Sequence, residues 1–186
     1  MIMKKNKISL ETSFWSGREV EKPFEFLEVF FEYANLDYYK EMLNQFLLHT
    51  NKLEAYEVGY PGQTFTLYTV FRSFLKACFS LKTKDKKWKV RKAPEKWSIL
   101  GQASLTSEEY QNPFLVFQKA FDEKTPDEFD FFLCEITHLS LSPFAEEFEY
   151  DLITPYIHLI KMLDASQVIN ERGVKKLKDK KSSSTE

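Results

Sequence analysis

Catalysis in this chain would have to run through very few side chains, and histidine is the first to consider. There are three, His49, His138 and His158. Glu135 and His138 keep the Glu-x-x-His spacing that sets a carboxylate and an imidazole one helical turn apart, as in di-metal helical bundles. A bundle of that kind needs a second pair, and Gln45 and Leu48 stand at the corresponding positions of the first half. What remains is a metal-dependent, hydrolase-like bundle in which His49, His138 and His158 converge, with Glu135 beside them. The sequence favours surface or hydrogen-bonded core histidines over that site, and no cofactor is expected.

Nucleophiles fare no better. Cys134 lies four residues before His138, so the two can meet on one helix face, and a thiolate needs such a partner. A third, orienting group is missing. The chain has no Gly-x-Ser-x-Gly elbow, no phosphate-binding loop and no dinucleotide glycine pattern. Cys78 and Cys134 both sit in apolar helical patterns and read as small buried hydrophobes of a reducing compartment.

The strongest polar anomaly is basic. Between Lys82 and Lys96 run Lys82, Lys84, Lys86, Lys87, Lys89, Arg91, Lys92 and Lys96, against only Asp85 and Glu95. Lys86, Lys87, Trp88, Lys89, Arg91 and Lys92 interleave positive charge with an aromatic, the pattern of nucleic-acid strips. The tail adds Arg172, Lys175, Lys176, Lys178, Lys180 and Lys181. The competing reading is a solvated connector neutralised by the acidic face of Glu25, Glu28 and Glu32. The chain's net charge of −2 opposes long-range attraction to nucleic acid, so the sequence favours the connector. Alternation of Trp88 and Val90 with Lys87, Lys89 and Arg91 also fits a short strand.

The elements that must position these groups are helical. Few glycines and prolines argue against a turn-rich β fold, and 43% hydrophobic residues in a 186-residue chain suffice for one sizeable core. The two halves resemble each other at an offset of 90 residues: Ser16, Glu19, Pro23, Phe24, Phe31, Glu32, Asp37, Tyr39 and Leu43 recur as Thr106, Glu109, Pro113, Phe114, Phe121, Asp122, Asp127, Phe129 and Leu133. Self-similarity at a fixed spacing marks a duplicated unit. Ser16 with Glu19, and Thr106 with Glu109, each fit a capping box. Pro23 and Pro113 then start a helix. The first hairpin is expected over 23–34 and 38–50, with Asp37 as N-cap, and a third helix over 64–81. The copy runs over 113–124 and 127–141, then 144–171 as one helix or a pair, with a break or restart at Pro155 and an offset that slips to 88. Phe24, Phe31, Leu43, Phe114, Phe121 and Leu133 are the expected shared core.

The expected fold is therefore all-α: one domain over 8–170, made of three-helix units 16–81 and 106–171 joined by the basic connector 82–105, with a disordered Lys- and Ser-rich tail over 172–186. The N-terminus lacks the apolar run of a signal peptide, no stretch is long enough to span a membrane, and a cytoplasmic protein is the default. Sparse catalytic groups and abundant aromatics point to a non-enzymatic interaction or regulatory protein that binds another protein or itself. A nucleic-acid-associated regulator using the basic connector and tail is the alternative.

Overall fold

The computed structural model describes residues 9–52, 54–57, 62–92, 104–142 and 150–177. Among them are eight helices: α1 (Ser9–Ser16), α2 (Pro23–Tyr33), α3 (Leu36–His49), α4 (Gln63–Leu81), α5 (Ser107–Gln111), α6 (Phe114–Glu123), α7 (Pro126–Ser140) and α8 (Ile153–Arg172). A single 3-10 turn, Lys84–Lys86, precedes strand β1 (Trp88–Val90), which pairs antiparallel with β2 (Val174–Lys176). No helix among the described residues is long and apolar enough to cross a membrane.

Helix starts follow local chemistry. Pro23 opens α2 at its first turn, where a missing N–H costs nothing. Thr106 and Glu109 form the expected reciprocal capping box on α5, and Thr125 with Glu128 forms another on α7. Two cap expectations are corrected. Ser16 starts no helix. Its hydroxyl donates to the Thr12 carbonyl at 2.7 Å as the last residue of α1, and Gly17 follows with a φ of 74°. A left-handed glycine after the last helical residue is a stop signal, and the helix it ends, α1, carries no periodic signal in the sequence. The N-cap of α3 is Asn35, whose side chain accepts from the Tyr38 amide at 2.8 Å, and not Asp37. Of the two roles open to Pro155 it takes the restart: it lies in the first turn of α8, a start helped by the Asp151 carboxylate accepting from the Ile153 and Thr154 amides. Residues 143–149 lie outside the described residues.

The helices of the two halves interleave. α2 packs on α4 and α6 on α8, α3 packs on α8 and α7 on α4, and α2 meets α8 as α6 meets α4. α3 and α7 lie against each other at the centre, and α1 covers α4. Starts of α2, α3 and α4 at 23, 36 and 63 precede those of α6, α7 and α8 at 114, 126 and 153 by 90 residues to within one.

The core is aromatic. The Phe30 ring stacks between Tyr39 at 3.9 Å and Phe74 at 4.7 Å, and the Tyr39 hydroxyl donates to the Phe30 carbonyl at 2.6 Å. Burial raises the Tyr39 pKa well above the phenol range. Of the six expected core positions, Leu43, Phe114, Phe121 and Leu133 are buried, whereas Phe24 and Phe31 are half-buried at the edge of the cluster. Cys78 is buried, as expected, 3.9 Å from the Ser166 hydroxyl. Cys134 is exposed, contrary to the reading of it as core.

Two buried carboxylates lock α8 in place. Asp164 is fully buried and pairs with Lys40 of α3, while its Oδ2 accepts from the Ser104 hydroxyl at 2.5 Å. Glu109 accepts from Lys119 at 3.0 Å, Lys161 at 2.9 Å and the Thr106 amide at 3.0 Å. Burial alone would raise its pKa, but the bonds from Lys161, the Thr106 amide and Lys119 prevail and hold it at about 2.

Candidate functional site

The two basic segments, 82–92 and 172–177, are far apart in sequence, and the β1–β2 ribbon brings them together. The register pairs Trp88 with Lys176, Lys89 with Lys175 and Val90 with Val174. Flanking bonds extend it: the Arg91 amide donates to the Gly173 carbonyl at 3.1 Å, and the Leu177 amide to the Lys87 carbonyl at 2.8 Å. Gly173 makes the ribbon possible. Its backbone, at φ 67° and ψ 171°, turns the chain out of α8 directly into β2, a conformation that is almost exclusive to glycine. Residues 172–177 of the expected tail are therefore the end of α8 and a strand, while 178–186 lie outside the described residues.

Alternation sorts the faces of the ribbon. Val90 is buried and Trp88 half-buried, its ring 5.1 Å from that of Phe24. Lys86, Lys87, Lys89, Arg91, Lys92, Lys175 and Lys176 are all exposed. None of these seven cations forms an ion pair among the described residues. The neutralising acidic face invoked from the sequence does not serve them: Glu32 pairs with Arg18 of its own half. Lys82 is taken by Asp122 at 2.7 Å and by the Phe121 carbonyl. Trp88 is half-buried with its ring tilted against Phe24, which withdraws part of it from stacking on a base.

Beside the ribbon is a cavity of about 400 Å³ that Trp88, Lys89, Lys92, Gln111, Asn112 and Arg172 help to line. Arg172, Gln111 and Asn112 carry no sequence motif. They arrive there because α8 ends, and α5 ends, beside the strand.

The histidines do not assemble. His49 is buried in α3, its Nδ1 2.8 Å from the Gln45 carbonyl and its Nε2 3.3 Å from the Lys52 ammonium. His158 Nε2 lies 2.9 Å from Glu123 Oε2. His138 is exposed near the end of α7, and Glu135 faces a different groove. Among the described residues no group of three or more His, Cys, Asp or Glu side chains could hold a metal ion.

That groove, about 430 Å³ between α7 and residues 150–155, is walled by Phe131, Phe132, Tyr150, Leu152 and Pro155. Asp127, Glu128, Glu135 and Asp151 rim it, with Lys124 the one cation in its lining among the described residues. Phe131 and Tyr150 are exposed and meet edge to face at 5.4 Å.

Comparison with protein-family models, with curated proteins and with solved structures finds no match to this chain. Function must be argued from these surfaces alone.

Proposed function

We propose that this chain is a non-enzymatic, nucleic-acid-associated protein that holds duplex phosphates on its basic ribbon. One observation carries the reading: seven exposed cations from two distant segments share one ribbon, and none has an anionic partner among the described residues. Three lysines outside the ribbon, Lys40, Lys119 and Lys161, serve buried carboxylates. Like charges directly opposite in a ribbon cost stability, so the Lys89–Lys175 pairing is an expense that an anionic ligand would repay. A duplex suits the ribbon better than a single strand, because no exposed aromatic of the described ribbon offers a base platform. Local charge governs contact within about a Debye length of 8–10 Å, so a net charge of −2 does not forbid it.

The test is fluorescence anisotropy with a labelled DNA duplex at rising salt. Each phosphate contact should contribute about −0.9 to the slope of log affinity against log salt. Replacing Lys86, Lys87, Lys89, Arg91 and Lys92 with Ser should abolish binding without unfolding the chain. A salt-insensitive affinity, or none at low salt, would remove the reading.

The protein-interaction reading keeps one surface, the apolar groove beside α7. Its acidic rim suits an apolar segment flanked by Lys or Arg, from a partner protein or from a second copy. A cytoplasmic location accompanies both readings. We propose as well that the two halves are a pseudo-duplication: the pairwise packing of α2, α3 and α4 with α6, α7 and α8 is the same when the two halves are exchanged, and equivalent residues Phe24 and Phe114 touch edge to face at 6.5 Å. Residues 9–81 expressed alone should then form a two-fold dimer, and a soluble folded monomer would speak against it.

A further inference from the structure

Arg172 is a buried charge, 7% exposed, with no carboxylate partner among the described residues. Its Nε donates to the Arg91 carbonyl at 2.6 Å and its Nη1 to the Tyr110 carbonyl at 2.7 Å, and its guanidinium lies 5.3 Å from the Tyr110 ring centre. Carbonyl dipoles and a ring face offset part of the desolvation cost of a guanidinium, but they do not neutralise it. Burial accordingly pushes its pKa below the ordinary arginine range. The contrast with Glu109 and Asp164 is sharp, since each of those buried charges has a lysine.

Arg172 is also part of the wall of the cavity beside the ribbon, where Lys89 and Lys92 add two more cations. The same wall contains Asp85, whose Oδ1 is buried and accepts no hydrogen bond. A bare anion would answer the three cations but set a like charge beside the Asp85 carboxylate. A ligand carrying both an anionic group and N–H or O–H donors answers both. Trp88 supplies an aromatic wall, and the Gln111 and Asn112 amides supply paired donors and acceptors, the groups that read the edge of a planar base. The cavity volume of about 400 Å³ falls within the range of small-molecule sites.

We propose that this cavity binds a nucleoside monophosphate, its phosphate drawn to Arg172, Lys89 and Lys92 and its sugar or base donors to Asp85. Lys89 and Lys92 are shared with the duplex-binding surface, whereas Asp85, Gln111, Asn112 and Arg172 belong to the cavity alone, so a variant at Asp85 separates the two readings.

The experiment is calorimetric titration of the full chain with AMP, GMP, CMP and UMP, with inorganic phosphate and with the matching nucleosides. At least one monophosphate should bind with Kd of about 100 µM or tighter, and at least about tenfold tighter than phosphate or nucleoside alone. Asp85→Asn and Lys92→Ser should each weaken it about tenfold or more, with thermal unfolding unchanged and, for Asp85→Asn, duplex affinity unchanged. These two variants keep the test decisive if Arg172→Lys fails to fold. No monophosphate binding at millimolar concentration, inorganic phosphate binding as tightly, or binding indifferent to both variants would overturn the proposal.

Discussion

Lys89 of β1 sits directly opposite Lys175 of β2, two like charges on the same face of a three-residue ribbon. Such a pair works against the hydrogen bonds that hold the strands. Lys175→Glu should therefore stabilise the chain by up to about 1 kcal/mol while weakening duplex binding. Denaturant unfolding and anisotropy, measured on the same variant, should move in opposite directions. Lower stability with unchanged affinity would mean that the pair is neither strained nor a phosphate contact.

Gly173 is the hinge on which the ribbon depends. At φ 67° and ψ 171° a side chain is strained whatever room surrounds it, and an added Cβ would meet only the Arg91 guanidinium, at 3.9 Å. Gly173→Ala should cost about 1–3 kcal/mol. The loss should appear locally, as faster hydrogen exchange at the amide of Arg91, which donates to the Gly173 carbonyl. Unchanged protection there would show that the ribbon tolerates the substitution.

Glu109 predicts an acid limit. Its pKa in the folded chain is about 2 against an ordinary 4.5. A depressed carboxylate contributes stability that is complete above the unfolded pKa and is lost as pH falls from about 4.5 toward 2. The contribution is on the order of 3 kcal/mol. Glu109→Gln should be less stable at neutral pH and should flatten that part of the stability profile. A wild-type profile that is already flat between pH 5 and pH 2.5 would contradict the assignment.

In the core, Phe30 and Phe31 should separate clearly. Phe30 is fully buried between two stacked rings, whereas Phe31 is half-buried. Phe30→Ala should cost about 3–5 kcal/mol, and Phe31→Ala distinctly less. Urea unfolding midpoints would rank them, and the reverse order would place Phe31 at the centre of the core.

At the acidic groove, a Leu- and Lys-rich amphipathic peptide should bind, because charge and apolar surface are both complementary. Phe131 is 48% exposed at its wall, so Phe131→Asp should abolish binding without a large loss of stability. Binding that survives this substitution would locate the peptide elsewhere.

Much of the helical framework was legible in the residues themselves. Pro23, the Thr106–Glu109 box and the apolar stripe of 64–81 are local signals, and local signals act within one turn of backbone. That is why six of the eight described helices fall close to where periodicity sets them, why an all-α chain follows, and why the basic run over 86–92 stands out as the polar anomaly. The alternation of Trp88 and Val90 even suggested the strand, though not its partner. α1 escaped because its eight residues have no clear apolar face. Ser16 ends a helix where its spacing to Glu19 suits a start, because a serine beside glycine serves either end of a helix. What no local pattern contains is which segments meet. Only the interleaving of α3 with α8 and α7 with α4 carries the end of α8 back to β1, and only that return sets Lys175 opposite Lys89. The same return buries Arg172 with no carboxylate paired to it among the described residues and keeps His49, His138 and His158 from assembling. Charges in a sequence are only counted. The folded chain decides which of them find a counter-charge, because pairing is a matter of distance in space and the distance is set by how the helices pack.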